Sequence, residues 1–465
     1  MTAPPTVPQE APLSSPRIRL HFPPGRPLTL ADVRLALFGT LWSRRDDGTV
    51  VASVENRSAL DDLEWVGIEP DEMAAPANDK RVAEVVDELI DQGRAYRCYC
   101  SATELREMSV NPTGFPEPVF YDGRCRKLTA ADRAAMEKMG RKPRIRIVMP
   151  EELPTLDGID MPRPKSDFVI VEADGTPNDL FSAVLSPREA GATAMLVDGG
   201  RVRELAHWLV IAHVLDWELP DLRVLPPWRA VDTAQANETP TTLTIAALRD
   251  AGFVSVALLR AAAEAGWDPG DATDIDEMAA RFSIDDLSPD SPIFDYDALK
   301  KMNGDLIRKM DRFDKIQVVG EYLERKGYPF MERDPAWQER FVETVTAELD
   351  TLADAEAWAS ILLTSTVDYD REVARTVRNP TTHALIDTFE TAMDEVIEGD
   401  EADSRTWRRV LSRYRSSATA PGRALSVMRL VLTGQREGPN LTGILTLLGP
   451  DGCRGRLEKA RRYIA

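Results

Sequence analysis

The chain has 465 residues, 43% hydrophobic and 29% charged, which suits an ordinary protein with buried cores and about three domains of ~150 residues each. No run of about 18 uncharged apolar residues occurs, so a spanning helix and a membrane partner are excluded. A formal net charge of −20 and a pI near 4.8 oppose non-specific binding to nucleic acid, which needs clustered Lys and Arg, but leave room for a local basic patch.

In chain order, residues 1–16 are rich in Pro, Ala, Ser and Thr and lack the apolar core of a secretory signal; they read as a disordered tail on a cytoplasmic protein. Arg17–Leu20 is a short alternating strand, and His21–Pro27 is a loop rich in Pro and Gly. Leu30–Trp42 has helical spacing through Val33, Leu35, Leu37, Phe38 and Leu41, and Val50–Val54 is a second strand. Strand, loop, helix, strand is how a nucleotide-binding α/β sheet begins.

Residues 91–165 change character, with three cysteines, many prolines and no long periodic helix, and read as an insertion. Asp167–Val171 is another strand and Arg203–Trp217 an amphipathic helix. Beyond Pro240 the pattern is helical, punctuated at Trp267-Asp268-Pro269-Gly270 and Gly438-Pro439. The expected division is therefore 17–90 with 166–240 as a Rossmann-type α/β domain, 91–165 as its insertion, and helical domains at 241–320 and 321–465. Trp65 and Trp267 read as core residues.

Cys98, Cys100 and Cys125 are clustered, while Cys453 stands alone. In an intracellular chain this clustering suggests a metal rather than disulfides. Thiolates bind Zn²⁺ in a tetrahedron that needs a fourth ligand; the plainer alternative is three buried thiols in a degenerate knuckle. Near the end, Arg405, Arg408, Arg409, Arg413, Arg415, Arg423, Arg429 and Arg436 form an arginine-rich stretch, either a solvated helix face or an RNA-facing surface.

Several segments resemble the glutamyl-tRNA synthetase family, in the family's order. They are Leu63-Glu64-Trp65-Val66-Gly67-Ile68, Gly93–Cys100, Tyr121–Cys125 and Asp174-Gly175-Thr176-Pro177, then Gly266–Asp271, Ser291–Asp295 and Met428–Gly434 with Gly438-Pro439. The resemblance implies a class I fold: a Rossmann-type catalytic domain split by an acceptor-end insertion, then a helical stem-contact domain and a helical anticodon-binding domain. It also implies Tyr121 as the fourth zinc ligand, because relatives lacking a later histidine use Tyr-x-x-x-Cys.

The chemistry of that family is not carried over. Adenylate formation needs cationic and hydrogen-bonding groups on the phosphates. The family's His-Ile-Gly-His-like turn falls on Thr29-Leu30-Ala31-Asp32, with Asp32 placed where phosphate should sit; His21, in the preceding loop, is the one imidazole nearby. Its lysine-bearing loop falls on Gln235-Ala236-Asn237-Glu238-Thr239, with Glu238 at the position of the phosphate-binding lysine and Asn237 before it, so ATP should be repelled. The family's Thr-Tyr-Asn-Phe becomes Asn178-Asp179-Leu180-Phe181, and its carboxylate-clamping arginine becomes Val197. Glu55, Asp179 and Arg201 remain as candidate substrate contacts, and Arg429 as a weak RNA contact.

Three functions are open on these grounds. One is a synthetase-like pseudoenzyme that binds a protein or RNA partner, with weak tRNA binding through its C-terminal domain. Another is a repurposed ligase or transferase with a rebuilt pocket. The third is a divergent but active synthetase.

Overall fold

The computed structural model describes residues 15–22, 26–53, 57–74, 79–108, 121–156, 159–230, 239–272, 274–364, 367–399, 401–418 and 421–462. The chain divides into two compact units, one of residues 1–246 and 258–295, the other of 247–257 and 296–465. Most of the expected tail, residues 1–14, lies outside the described residues.

The first unit begins with β1 (Arg17–His21), α1 (Leu30–Arg45), β2 (Thr49–Ser53), α2 (Arg57–Trp65), β3 (Glu72–Met73) and α3 (Asp79–Asp91). It continues with β4 (Ala95–Cys98), α4 (Ala102–Met108), α5 (Ala130–Lys138), β5 (Arg144–Ile147) and β6 (Val169–Val171). Then come α6 (Asp179–Glu189), β7 (Ala194–Asp198), α7 (Val202–Val214), β8 (Asp221–Leu225), β9 (Arg229–Ala230), α8 (Ile245–Asp250), α9 (Ser255–Glu264), α10 (Ile275–Arg281) and β10 (Ile293–Phe294), with most of α8 and the start of α9, residues 247–257, counted in the second unit.

Five strands form one parallel sheet in the order β3-β2-β1-β7-β8. Alternation along β1 sends Ile18 and Leu20 to one face and Arg19 and His21 to the other. Helix α1 covers the first face so closely that a side chain at Gly39 would meet Leu20 Cδ2 at 2.8 Å. On the other face Met195 and Val197 of β7 pack with Phe181 and Val184 of α6 and Leu205, Trp208 and Ile211 of α7.

The strand at 169–171 does not return to this sheet, although its position beside the second half of the α/β domain suggested that it would. It pairs antiparallel with β5, which pairs with β4, in a separate three-stranded sheet. The physical reason is the buried Asp167 just before it, which accepts bonds from Tyr96 Oη at 2.6 Å, Arg126 Nε at 2.6 Å and Met149 N at 2.9 Å. Three groups of the insertion thus tie the start of β6 down.

The second unit is helical: α11 (Tyr296–Lys309), α12 (Arg312–Arg325), α13 (Pro335–Val345), α14 (Leu352–Leu362), α15 (Arg371–Val377), α16 (Pro380–Val396), α17 (Ser404–Ser417), α18 (Pro421–Thr433) and α19 (Leu441–Arg462). Phe330, Trp337, Phe341 and Leu352 centre one core, and Phe389, Trp407, Tyr414 and Met428 another. Arg456 is buried in α19, giving hydrogen bonds to the carbonyls of Leu432 at 2.6 Å and Thr364 at 2.9 Å. These acceptors lie at or beyond helix C-termini, where carbonyls lack intrahelical donors. Among the described residues no helix is long and apolar enough to cross a membrane.

Candidate functional site

In an open parallel sheet, ligands bind beyond the carboxyl ends of the strands, where the strand order reverses. Here the reversal falls between β1, ending at His21, and β7, ending at Asp198. Helix α1 opens toward the same end of the sheet. Its N-terminus is the natural seat for a phosphate, because the first amides of a helix have no partner within it.

Those amides are all occupied by protein. Leu30 N donates to Leu243 O at 3.0 Å and Ala31 N to Pro240 O at 3.0 Å, so residues 240–243 close over the start of the helix. Thr29 and Asp32 form a reciprocal capping box, with Asp32 N 3.4 Å from Thr29 Oγ1 and Thr29 N donating to Asp32 Oδ2 at 2.8 Å. Arg26 grips the same carboxylate with both terminal nitrogens, at 2.8 and 2.7 Å. An internal carboxylate and two backbone carbonyls thus meet the donors that a phosphate would use.

The face of the crevice toward α6 and α7 is different. Arg19 is fully buried, donating to Ser186 Oγ at 2.6 Å and to the Leu20 carbonyl at 3.1 Å, while its Nε has no partner. Burial lowers the Arg19 guanidinium to about 10. Both ring nitrogens of His21 are buried and unpartnered. Burial first, then the charges of Arg201, Arg19 and Arg26, push this imidazole down to about 3, so it is neutral at pH 7. Its ring meets Trp208 edge-on with centroids 6.1 Å apart, and Arg201 lies over the same indole at 5.3 Å. The Trp208 Nε1 is also buried without a partner. Each such orphan costs about 1–3 kcal/mol in a closed fold.

On the α1 face, Arg34 donates to Pro226 O at 2.7 Å and stands 3.8 Å from Asp198. Burial dominates both partners, lowering Arg34 to about 10 and raising Asp198, so their attraction does not repay the loss of water.

The cysteines form a second centre. Cys98, Cys100 and Cys125 bring their sulfurs within 4.8 Å of one another. Tyr121 Oη lies 3.5 Å from Cys98 Sγ and 3.9 Å from Cys100 Sγ, and Cys100 and Cys125 are 3.6 Å apart. A tetrahedron with bonds of about 2.3 Å has edges of about 3.8 Å, so the four donors fit zinc. Hydrogen bonding from Cys125 holds Cys98 down at about 4 as a thiolate, while burial pushes Cys100 and Tyr121 up. Arg146 stacks 4.0 Å over the Tyr121 ring and adds a buried positive charge beside the thiolate.

Residues 36–303, more than half of the chain, match the family model described as tRNA synthetases class I (E and Q), catalytic domain. The chain belongs to this class I synthetase family. Residues 316–461 match the anticodon binding domain. Among curated relatives, the glutamate–tRNA ligase of Sulfurihydrogenibium sp. is 26% identical, covering 96% of this chain and 99% of its own. That of Moorella thermoacetica is 25% identical over 96% and 98%. A glutamate–tRNA ligase crystal structure from Elizabethkingia meningosepticum, in complex with its amino acid, superposes with a TM-score of 0.65 at 17% identity, over 97% of this chain and 100% of that one. A parallel α/β catalytic domain followed by a helical anticodon-binding domain is the architecture shared with these class I synthetases.

Thr29-Leu30-Ala31-Asp32, onto which the sequence resemblance places the family's signature turn, stands at the start of α1. Glu55, Asn237 and Glu238 lie outside the described residues. Asp179 is exposed in the first turn of α6, where Asn178 caps the helix. Arg201, paired with Glu204, reaches the crevice through Trp208. Arg429 is half-buried and donates to Pro439 O at 2.7 Å, which gives it a structural task in the loop before α19. Sequence reasoning missed Trp208, Arg19 and the 240–243 closure. The alternation Arg17, Arg19, His21 on a buried strand was the available signal for Arg19; the closure has none, since backbone carbonyls leave no mark in a sequence.

Proposed function

We propose that this class I synthetase-family protein binds a partner without forming glutamyl-adenylate. The observation that carries the reading is the start of α1: Leu243 and Pro240 carbonyls take its first amides, and Asp32, held by Thr29 and Arg26, puts an anion there. A triphosphate would have to displace these bonds and approach a carboxylate. The anticodon-binding domain supports tRNA as one partner, bound weakly given the net charge of −20. Zn²⁺ held by Cys98, Cys100, Cys125 and Tyr121 would have a structural role, cross-linking β4 to the segment before α5.

Relatives that match end to end and are named glutamate–tRNA ligase favour a second reading, a divergent active ligase. ATP–pyrophosphate exchange with L-glutamate, with and without total tRNA, separates the two. The expected result is no exchange above that of heat-killed protein; clear exchange would establish the active ligase.

A further inference from the structure

The cysteine cluster faces a buried cation that no acid balances. Arg146 of β5 stands directly opposite Tyr96 of β4, so its side chain leaves the sheet on the face that carries Tyr96 and, two residues on, Cys98. It is 5% exposed and forms no ion pair among the described residues. Its guanidinium lies 4.0 Å over the Tyr121 ring, Nη1 donates to the Asp167 carbonyl at 3.0 Å, and Nε has no partner. The other arginines around the cluster are paired: Arg126 with the Asp167 carboxylate, Arg144 with Glu172 and Arg124 with Asp122. The charge of Arg146 is therefore the one left over, and a cation taken out of water without a counter-ion is costly. Each cysteine loses its proton on binding a metal, so three thiolates on Zn²⁺ carry one net negative charge. With Tyr121 as a neutral fourth donor, the loaded centre and Arg146 together come to zero.

We propose that Arg146 is the counter-charge of the cysteine–zinc centre, a positioning residue outside the ligand set that sets how tightly the metal is held. The inference rests on the reading that Cys98, Cys100, Cys125 and Tyr121 hold zinc, and it names the group on which that binding depends. The bond to the Asp167 carbonyl fixes the guanidinium, and the stack on Tyr121 holds the ring whose Oη lies 3.5 Å from Cys98 Sγ. Without metal the buried charge is uncompensated; with metal it is matched.

The test uses the full chain as parent, Arg146→Gln and Arg146→Lys, each loaded with Zn²⁺ and titrated with a chromophoric zinc chelator. Arg146→Gln should hold the metal about 10–100-fold more weakly. Arg146→Lys keeps the charge and gives up the planar stack, and it should recover most of that loss. Co²⁺ in place of zinc supplies a readout that a packing role would not. Its tetrahedral absorption bands should keep their positions in Arg146→Gln, which means the same donors at lower affinity. Equal zinc affinity in parent and Arg146→Gln, a lysine variant as weak as the glutamine one, or displaced Co²⁺ bands would each overturn the proposal. If Arg146→Gln does not fold, the lysine variant decides: affinity near that of the parent supports the charge role, and loss of the metal overturns it. A parent that binds no Zn²⁺ removes the zinc reading and the proposal together, whereas a zinc-loaded parent matched by Arg146→Gln removes the proposal alone.

Discussion

Asp32 accepts four hydrogen bonds, from Thr29 N, Thr29 Oγ1 and both terminal nitrogens of Arg26. Truncating it removes a capping box and leaves Arg26 without its acid, so Asp32→Ala should lower unfolding free energy by about 1–2 kcal/mol. Chemical denaturation measures this. The same variant should show no pyrophosphate exchange, because the Leu243 and Pro240 carbonyls still fill the helix amides. A gain of exchange would mean that the carboxylate alone closes the site. His21 sets a pH dependence. Its folded imidazole stays neutral down to about pH 3, whereas an unfolded histidine takes up a proton near pH 6.5. Between these values the unfolded state binds more protons, so stability falls as pH drops below about 6.5. Urea midpoints at pH 7.5 and 5 should separate less in His21→Gln than in the parent; an equal separation would place the titration elsewhere.

Among elements, the cysteine cluster joins β4 to the turn at Arg124–Lys127. Tyr96, Cys98, Tyr121 and Cys125 form a small apolar cluster there, and Arg126 of the turn is bonded to Asp167. Protein purified without added metal should contain about one zinc per chain by elemental analysis. Cys100→Ser should lose that metal and increase proteolysis within residues 91–165, with the helical unit from 296 onward unchanged. A metal-free parent protein with the same protease resistance would show that the thiols only pack. Helix α17 shows the opposite logic: Trp407, Val410 and Tyr414 face the core, and Arg408, Arg409 and Arg415 are exposed without an ion pair among the described residues. Arg413 alone among its central arginines has a partner, Glu395 at 2.7 Å.

For the molecule as a whole, a charge of −20 sets the terms on which RNA could be met. Any tRNA affinity should be weak, confined to residues 321–465, and steeply salt-dependent, because phosphate contacts release counterions. Charge reversal at Arg408 and Arg409 should reduce binding further and flatten the salt slope by about two phosphate contacts. Filter binding of total tRNA at low and physiological salt measures both. Tight, salt-insensitive binding of one tRNA would contradict this and favour the active ligase.

Much of this was determined by the sequence by itself. Strand alternation in Arg17–Leu20, the helical spacing of Leu30–Trp42 and the ordered family segments were enough for the class I fold. The spacing of Cys98, Cys100 and Cys125 marked three thiols that the fold brings together, and the signature positions pointed to Asp32. These are local patterns, or matches to a known order, and local patterns survive in one dimension. Only the tertiary structure decided the rest. Residues 240–243 seal α1 through backbone carbonyls, and β6 leaves the parallel sheet because three distant groups hold Asp167. Arg429 turns inward to Pro439, and Arg19, His21, Trp208 and Arg201 meet across about 180 residues of sequence. Each depends on contacts between segments far apart in the chain, whose cost and reward in burial and hydrogen bonding exist only once the sheet has brought its strand ends together.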